Sequence, residues 1–190
     1  MNPVTHCLMG WTWANAGPLT RPQRAAVTVA SVIPDVDGLG ILVDWATASS
    51  AHPTSLYAQY HHVVGHNLLG AAVAAVACAA IRGPRRALCA AFGLVSFHLH
   101  LLGDLVGSRG PDGSQWEIAY LWPFSNAWQW RVSWQWELNA WPNVAITLAL
   151  VAATLYLAWR RGFSLVELFS TQADAALVST LRARFPRSPG

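Results

Sequence analysis

The stretch ALCAAFGLVSFHLHLLGDLVG (residues 87–107) governs how the rest of the chain is read. Ala87–Val106 is 20 residues long, close to the roughly 20 apolar residues that carry a helix across a bilayer. Yet His98, His100 and Asp104 sit inside it. An aspartate at mid-bilayer costs about 2.5–3.5 kcal/mol on insertion scales. Such a group belongs there only if something pairs with it.

Composition supports the membrane interpretation. Apolar residues make up 54% of the 190 and charged residues 11%, well under the roughly 25% of soluble domains. All 12 basic residues are Arg and the net charge is +3. The Arg occur in short clusters rather than a stripe, so nucleic-acid binding is not expected. Cys7, Cys78 and Cys89 lack metal or disulfide spacing and read as small core residues. No cleavable signal peptide is apparent. Nothing in the sequence sets the oligomeric state.

Two further stretches have spanning length, Val63–Ile81 with 19 residues and Asn143–Trp159 with 17. Val4–Leu19 and Ala25–Ile33, separated by TRPQR, form a short helical hairpin packed into the bundle. The Arg clusters RPQR (21–24), RGPRR (82–86) and RR (160–161) fall on one side if the chain crosses once per segment. Only Arg109 and Arg131 fall on the other. The positive-inside rule makes the first side cytoplasmic.

The remaining polar residues segregate to the opposite ends of these segments: His6, Asp35, Asp37, His61, His62, His66, His98, His100 and Asp104. Helix periodicity puts His100 and Asp104 on one face and turns His98 about 200° away. The same spacing pairs His62 with His66, and His61 joins if it precedes the helix. IPDVDG (33–38) brackets two carboxylates at i and i+2. An extended or turn segment would aim both at one ion, and a helix-ending turn is the competing interpretation. A divalent ion can gather carboxylates and neutral imidazoles without burying net negative charge. Nitrogen and oxygen ligands suit Zn²⁺, and also Mn²⁺ or Fe²⁺. His98 is expected to be packed and hydrogen-bonded, His52 a solvated loop residue, and Asp44 a boundary residue.

Seven of the 11 Trp lie between Trp116 and Trp141. In WQWRVSWQWEL the apolar residues Trp128, Trp130, Val132, Trp134, Trp136 and Leu138 alternate with Gln129, Arg131, Ser133, Gln135 and Glu137. Period two predicts a surface strand or hairpin, Trp side toward the membrane boundary or the bundle, with an irregular aromatic loop as the alternative. Beyond Ser164, Ser164/Glu167 and Thr171/Asp174 have capping-box spacing. Leu177, Val178, Leu181 and Phe185, with Arg182, Arg184 and Arg187, predict an amphipathic cytoplasmic helix at the lipid surface, and Arg187–Gly190 read as disordered.

THCLMGW, IPDVDG, HHVVGHN, HLLGD and the later Gly113 with WPFS (122–125) together resemble the bacterial inner-membrane metal-dependent hydrolases (YdjM-like), over about residues 4–125. The resemblance implies a metal site of His6, Asp35, Asp37, His61, His66, His100 and Asp104. His61 aligns with the first His of the family's His-Arg-x-x-x-His pattern. His62 takes the Arg place, and its role stays open. HLLGD is also similar to a motif of zinc-dependent phospholipase C. That family's later His-x-x-x-Glu pair has no counterpart after His100, so one or two ions are expected.

The expected architecture is an all-α integral-membrane bundle: three spans, the N-terminal hairpin, the Trp-rich surface segment and the C-terminal helix. Residues 1–161 form the membrane-embedded domain and 162–190 the cytoplasmic segment. The expected function is a metal-dependent hydrolase in the bacterial inner membrane, its site facing the periplasm. It would act on phosphoester or ester bonds of a lipid or lipid-linked substrate. Asp35, Asp37, His62 and Arg109 are the catalytic candidates: Asp35 or Asp37 binds metal or accepts a proton, and Arg109 holds an anionic head group unless it is a plain interfacial Arg. The competing classes are a metal carrier or metal-stapled scaffold, and a soluble helical protein with a very apolar core.

Overall fold

The structure, a computed structural model, describes residues 1–110 and 113–186. Arg187 and the C-terminal disorder expected there lie outside the described residues. Among the described residues eight helices follow in order: α1 (Pro3–Ala14), α2 (Arg21–Ala30), α3 (Gly40–Thr47), α4 (Leu56–Tyr60), α5 (Leu68–Ala80), α6 (Arg86–Gly107), α7 (Trp141–Arg161) and α8 (Thr171–Arg184). Two 3₁₀ helices, Ile33–Leu39 and Leu165–Leu168, complete the set. Their ends obey local chemistry. Asn2 caps α1 by accepting from the Thr5 amide, and Thr20 with Gln23 forms a capping box on α2. Gly162, at φ +87, ends α7 in the left-handed conformation that glycine adopts freely, beside Arg160 and Arg161 in the last turn.

Helices α1, α2, α5 and α6 enclose the core, where Trp11, Val27, Ala71, Cys89, Phe97 and Leu101 are buried. The N-terminal hairpin matches the sequence expectation, and the long helices α6 and α7 lie where two of the three spans were expected. α6 (22 residues) and α7 (21) are long and apolar enough to cross a membrane. α2 and the segment Ile33–Thr47, bent by 48° at their break, together pass the same test of length and composition.

Val63–Ile81 is a correction. Only α5, 13 residues, is helical there. It is roughly 20 Å long, short of a hydrocarbon core of about 30 Å. Asn67 sets its start: the side chain accepts from the Gly70 amide, while its own amide donates to the Val63 and Val64 carbonyls. Residues 61–67 are therefore an irregular loop. His62 and His66 do not share a helix face as expected, and His62 sits in the left-handed region at φ 68.

The Trp-rich segment is also corrected. Among the described residues it forms no strand, only isolated bridges between Arg109 and Glu137 and between Ile118 and Trp130. Its polar member Gln135 is buried at 2% exposure, whereas Trp128 and Trp134 are exposed at 52% and 61%. Gln135 turns inward because its amide donates to the Asp104, Leu105 and Trp116 carbonyls, two of them unpaired at the end of α6. Beyond α7, Ser170 rather than Thr171 caps α8, and Asp174 turns back to accept from Ser164. Glu167 is likewise no cap: it is buried against Arg24. α8 returns toward α7, where the Arg182 Nε donates to the Trp159 carbonyl.

Candidate metal centre

Four elements deliver side chains to one buried place at the end of the bundle away from Arg21, Arg86 and Arg160. The last two turns of α6 supply His100 and Asp104, at 0% and 2% exposure. The loop before α5 supplies His66, the 3₁₀ helix Ile33–Leu39 supplies Asp35, and α1 supplies His6. Each of Asp35, His66, His100 and Asp104 offers one ligand atom, all within 4.8 Å of one another.

The hydrogen bonds behind these residues fix what faces inward. His100 Nδ1 lies 2.8 Å from the Ser31 carbonyl oxygen, which can only accept, so Nδ1 carries a proton and Nε2 is the nitrogen left to face the cluster. His66 Nδ1 lies 3.0 Å from the Asp37 carboxylate, which orders that ring in the same sense. The two Nε2 atoms then meet at 3.0 Å. Asp104 Oδ2 stands 2.9 Å from His100 Nε2 and 3.4 Å from His66 Nε2, yet makes no hydrogen bond. Asp35 Oδ1 is 3.6 and 4.0 Å from the same nitrogens, and its Oδ2 is buried without a partner. Acceptors converge on a common space with too few protons between them. That is the arrangement a divalent cation satisfies.

The remaining expected ligands surround this set. Asp37 sits behind it, accepting from His61 Nδ1 at 2.7 Å, from His66 and from the Gly65 amide. Three residues per turn in the 3₁₀ helix separate it from Asp35, so the two carboxylates do not aim at one point as expected. Gly65 permits the contact: a Cβ there would meet the Pro34 carbonyl oxygen at 2.4 Å. His6 Nε2 lies 3.1 Å from Asp104 Oδ1, and its ring stacks on His100 at 3.8 Å. Asp104 Oδ1 also accepts from Ser108 and from the Met1 amino group. His61, His62 and His66 make a second group that could hold an ion. With Nδ1 committed to Asp37, the open nitrogen of His66 serves the first.

The chain belongs to the YdjM inner membrane protein family, whose sequence model matches residues 1–182. That match takes in all of the converging side chains. No curated protein and no solved structure matches the chain.

Electrostatics vary around the family member's site. Burial alone would lower the pKa of His66. The hydrogen bond to Asp37 and the negative charges of Asp37 and Asp104 close by outweigh this and raise it to about 9. A proton on His66 thus relieves the crowded acceptors in the absence of a cation. Burial pulls His62 well below the ordinary imidazole value, only partly opposed by Asp104. Burial, then the charges of Asp35, Asp104 and Asp37, raise the Tyr57 hydroxyl.

A cavity of about 440 Å³ reaches the cluster, lined by Asp35, Tyr57, His61, His62, Arg109 and Trp116 among others. Arg109 is half-exposed in an ion pair with Glu137 at 3.4 Å, while its Nε is buried without a partner. Two other expectations, those for His98 and His52, fit the geometry. His98 hydrogen-bonds the Leu94 carbonyl and the Tyr120 hydroxyl, away from the cluster. His52 is exposed, and Asp44 caps α4 by accepting from the Leu56 and Tyr57 amides. Sequence reasoning missed Ser31, which acts through a backbone carbonyl that no residue type advertises. It also missed Trp116, packed edge-on over His62 at 4.5 Å, and Gln135, whose place in the alternation pointed outward.

Proposed function

We propose that this chain is a multi-pass inner-membrane, metal-dependent hydrolase whose site faces the periplasm and cleaves a phosphoester or ester bond of a lipid or lipid-linked substrate. The observation that carries the proposal is the meeting of His66 Nε2, His100 Nε2 and the Asp35 and Asp104 carboxylates, with both imidazole Nδ1 atoms already committed. Zinc best suits this donor set, with Mn²⁺ or Fe²⁺ next, because all four ligands are nitrogen or oxygen. When bound, such an ion lowers the pKa of water and polarises a phosphoryl or carbonyl oxygen.

The protein's residues do the rest. His66, His100, Asp35 and Asp104 hold the ion. Asp37 and the Ser31 carbonyl keep the two rings in the ligating tautomer. Asp35 Oδ2, free of partners at the cavity wall, accepts a proton from the attacking water. His62, held neutral, lines the same cavity and shuttles that proton onward. Arg109, with its open Nε, binds an anionic head group.

The orientation rests on Arg21 at the start of α2, Arg85 and Arg86 at the start of α6, and Arg160 and Arg161 at the end of α7, all opposite the cluster. Arg24 drops out of that argument, because it is buried against Glu167.

Metal analysis of purified wild-type protein, with hydrolysis assays on phosphodiester, phosphomonoester and acyl-ester lipids, tests the proposal. Cleavage of one class, lost in His100→Ala, supports it. Bound metal with no cleavage of any class leaves a metal-stapled scaffold or carrier.

A further inference from the structure

We propose that the groove between α2 and α5 seats one hydrocarbon chain of the lipid whose head reaches the metal centre, so that substrate arrives sideways from the bilayer. The inference rests on the hydrolase assignment for what happens at the head end, and on the groove alone for the chain.

The groove encloses about 410 Å³ and its lining carries no charged side chain. It exists because Gly70, Val73, Ala74 and Ala77 recur at helical spacing along one face of α5, leaving a depression against Val29 and Ile33 with Phe97 beneath. Val29 and Val73 on its rims are exposed at 55% and 62%, open to the surrounding lipid.

Its length and width select the occupant. From Gly70 to Ile81 the helix rises roughly 16 Å, close to the roughly 15 Å of one leaflet. A partner helix of that length, about 10 Å across, would fill roughly 1,200 Å³, far more than the groove holds. A single extended chain suits it.

The outer end of the groove places the head. Ile33 and Gly65 line that end, and Gly65 immediately precedes His66 while Ile33 lies two residues before Asp35. The backbones of Gly65 and Pro34 are in close contact, and the Asp37 carboxylate accepts from the Gly65 amide at 2.8 Å. A wall one backbone thick therefore separates the groove from the ligands, and Asp35, 16% exposed, lines the neighbouring cavity on its other side.

The experiment places full-length protein in nanodiscs with a phospholipid carrying a photoactivatable group on one acyl chain, and maps the crosslinks. Label should concentrate on residues 26–33 and 68–81. Ala77→Trp, an exposed position within the groove, should cut that labelling about tenfold by removing burial of a few methylenes. Leu148→Trp on the exposed face of α7 should leave it unchanged, and both variants should keep wild-type metal content. Equal labelling of α7 and the groove, or no effect of Ala77→Trp, overturns the inference. Groove labelling without lipid cleavage would keep the chain site and remove the hydrolase assignment. Cleavage of long-chain lipid by Ala77→Trp at wild-type kcat/KM would do the reverse.

Discussion

The molecule buries charge at both ends, in opposite ways. At the Arg-rich end, Glu167 receives Arg24 Nε at 2.8 Å and Nη2 at 2.5 Å, with Trp11 Nε1 at 3.3 Å. Arg24 also donates to the Leu19 carbonyl and stacks on Phe163, its guanidinium carbon 3.9 Å from the ring centre. Among these contacts every charge is answered by the protein itself. At the other end, Asp35 Oδ2, Asp104 Oδ2 and His6 Nδ1 are buried without hydrogen-bond partners, and the Nε2 atoms of His66 and His100 face each other at 3.0 Å. Burying a polar group unsatisfied costs about 1–3 kcal/mol. A closed network staples the C-terminal segment to the hairpin, and an open one is built for something that arrives from outside.

The sharpest way to break this contrast is to remove a ligand. Asp104→Asn and His100→Ala should abolish metal binding, measured by elemental analysis of protein that still folds by circular dichroism. Retained metal in both would dissolve the distinction. At the closed end, Glu167→Gln should leave Arg24 buried and uncompensated, lowering stability by about 3–5 kcal/mol in detergent unfolding. Metal content at fixed folding should not move.

Smaller effects refine the open end. Asp37→Asn touches no ion directly but releases His66 and His61, so metal affinity in competition titrations should fall about 10–100-fold. Below pH 9, an incoming ion must displace the proton that His66 holds at a pKa of about 9. Affinity should therefore rise with pH, by about tenfold per unit for one displaced proton, and flatten above 9. Proton release measured by calorimetry in two buffers checks the sign. His98→Ala, facing Tyr120, should change metal affinity by less than the scatter of the titration.

Much of this arrangement was legible in the sequence, and the exceptions have physical causes. His100 and Asp104 were paired by helix spacing because α6 is a real, long helix. His62 and His66 had the same spacing and no helix: Asn67 capped α5 after them, and tertiary contact through Gly65 decided the loop. The Trp alternation suggested a strand, but a strand needs partners along its length, and among the described residues only two isolated bridges form. The carbonyls at the end of α6 instead drew Gln135 inward. Glu167 and Asp174 had cap spacing and went to Arg24 and Ser164, since long-range partners compete with local ones.

The most direct test is X-ray absorption at the edge of the metal that copurifies with the full chain. The converging side chains require a first shell of nitrogen and oxygen only, at about 2.0–2.2 Å, with the multiple-scattering signature of two imidazoles. A sulfur shell near ~2.3 Å would instead point to Cys7, Cys78 or Cys89, and an ion without imidazole ligands would contradict the centre outright.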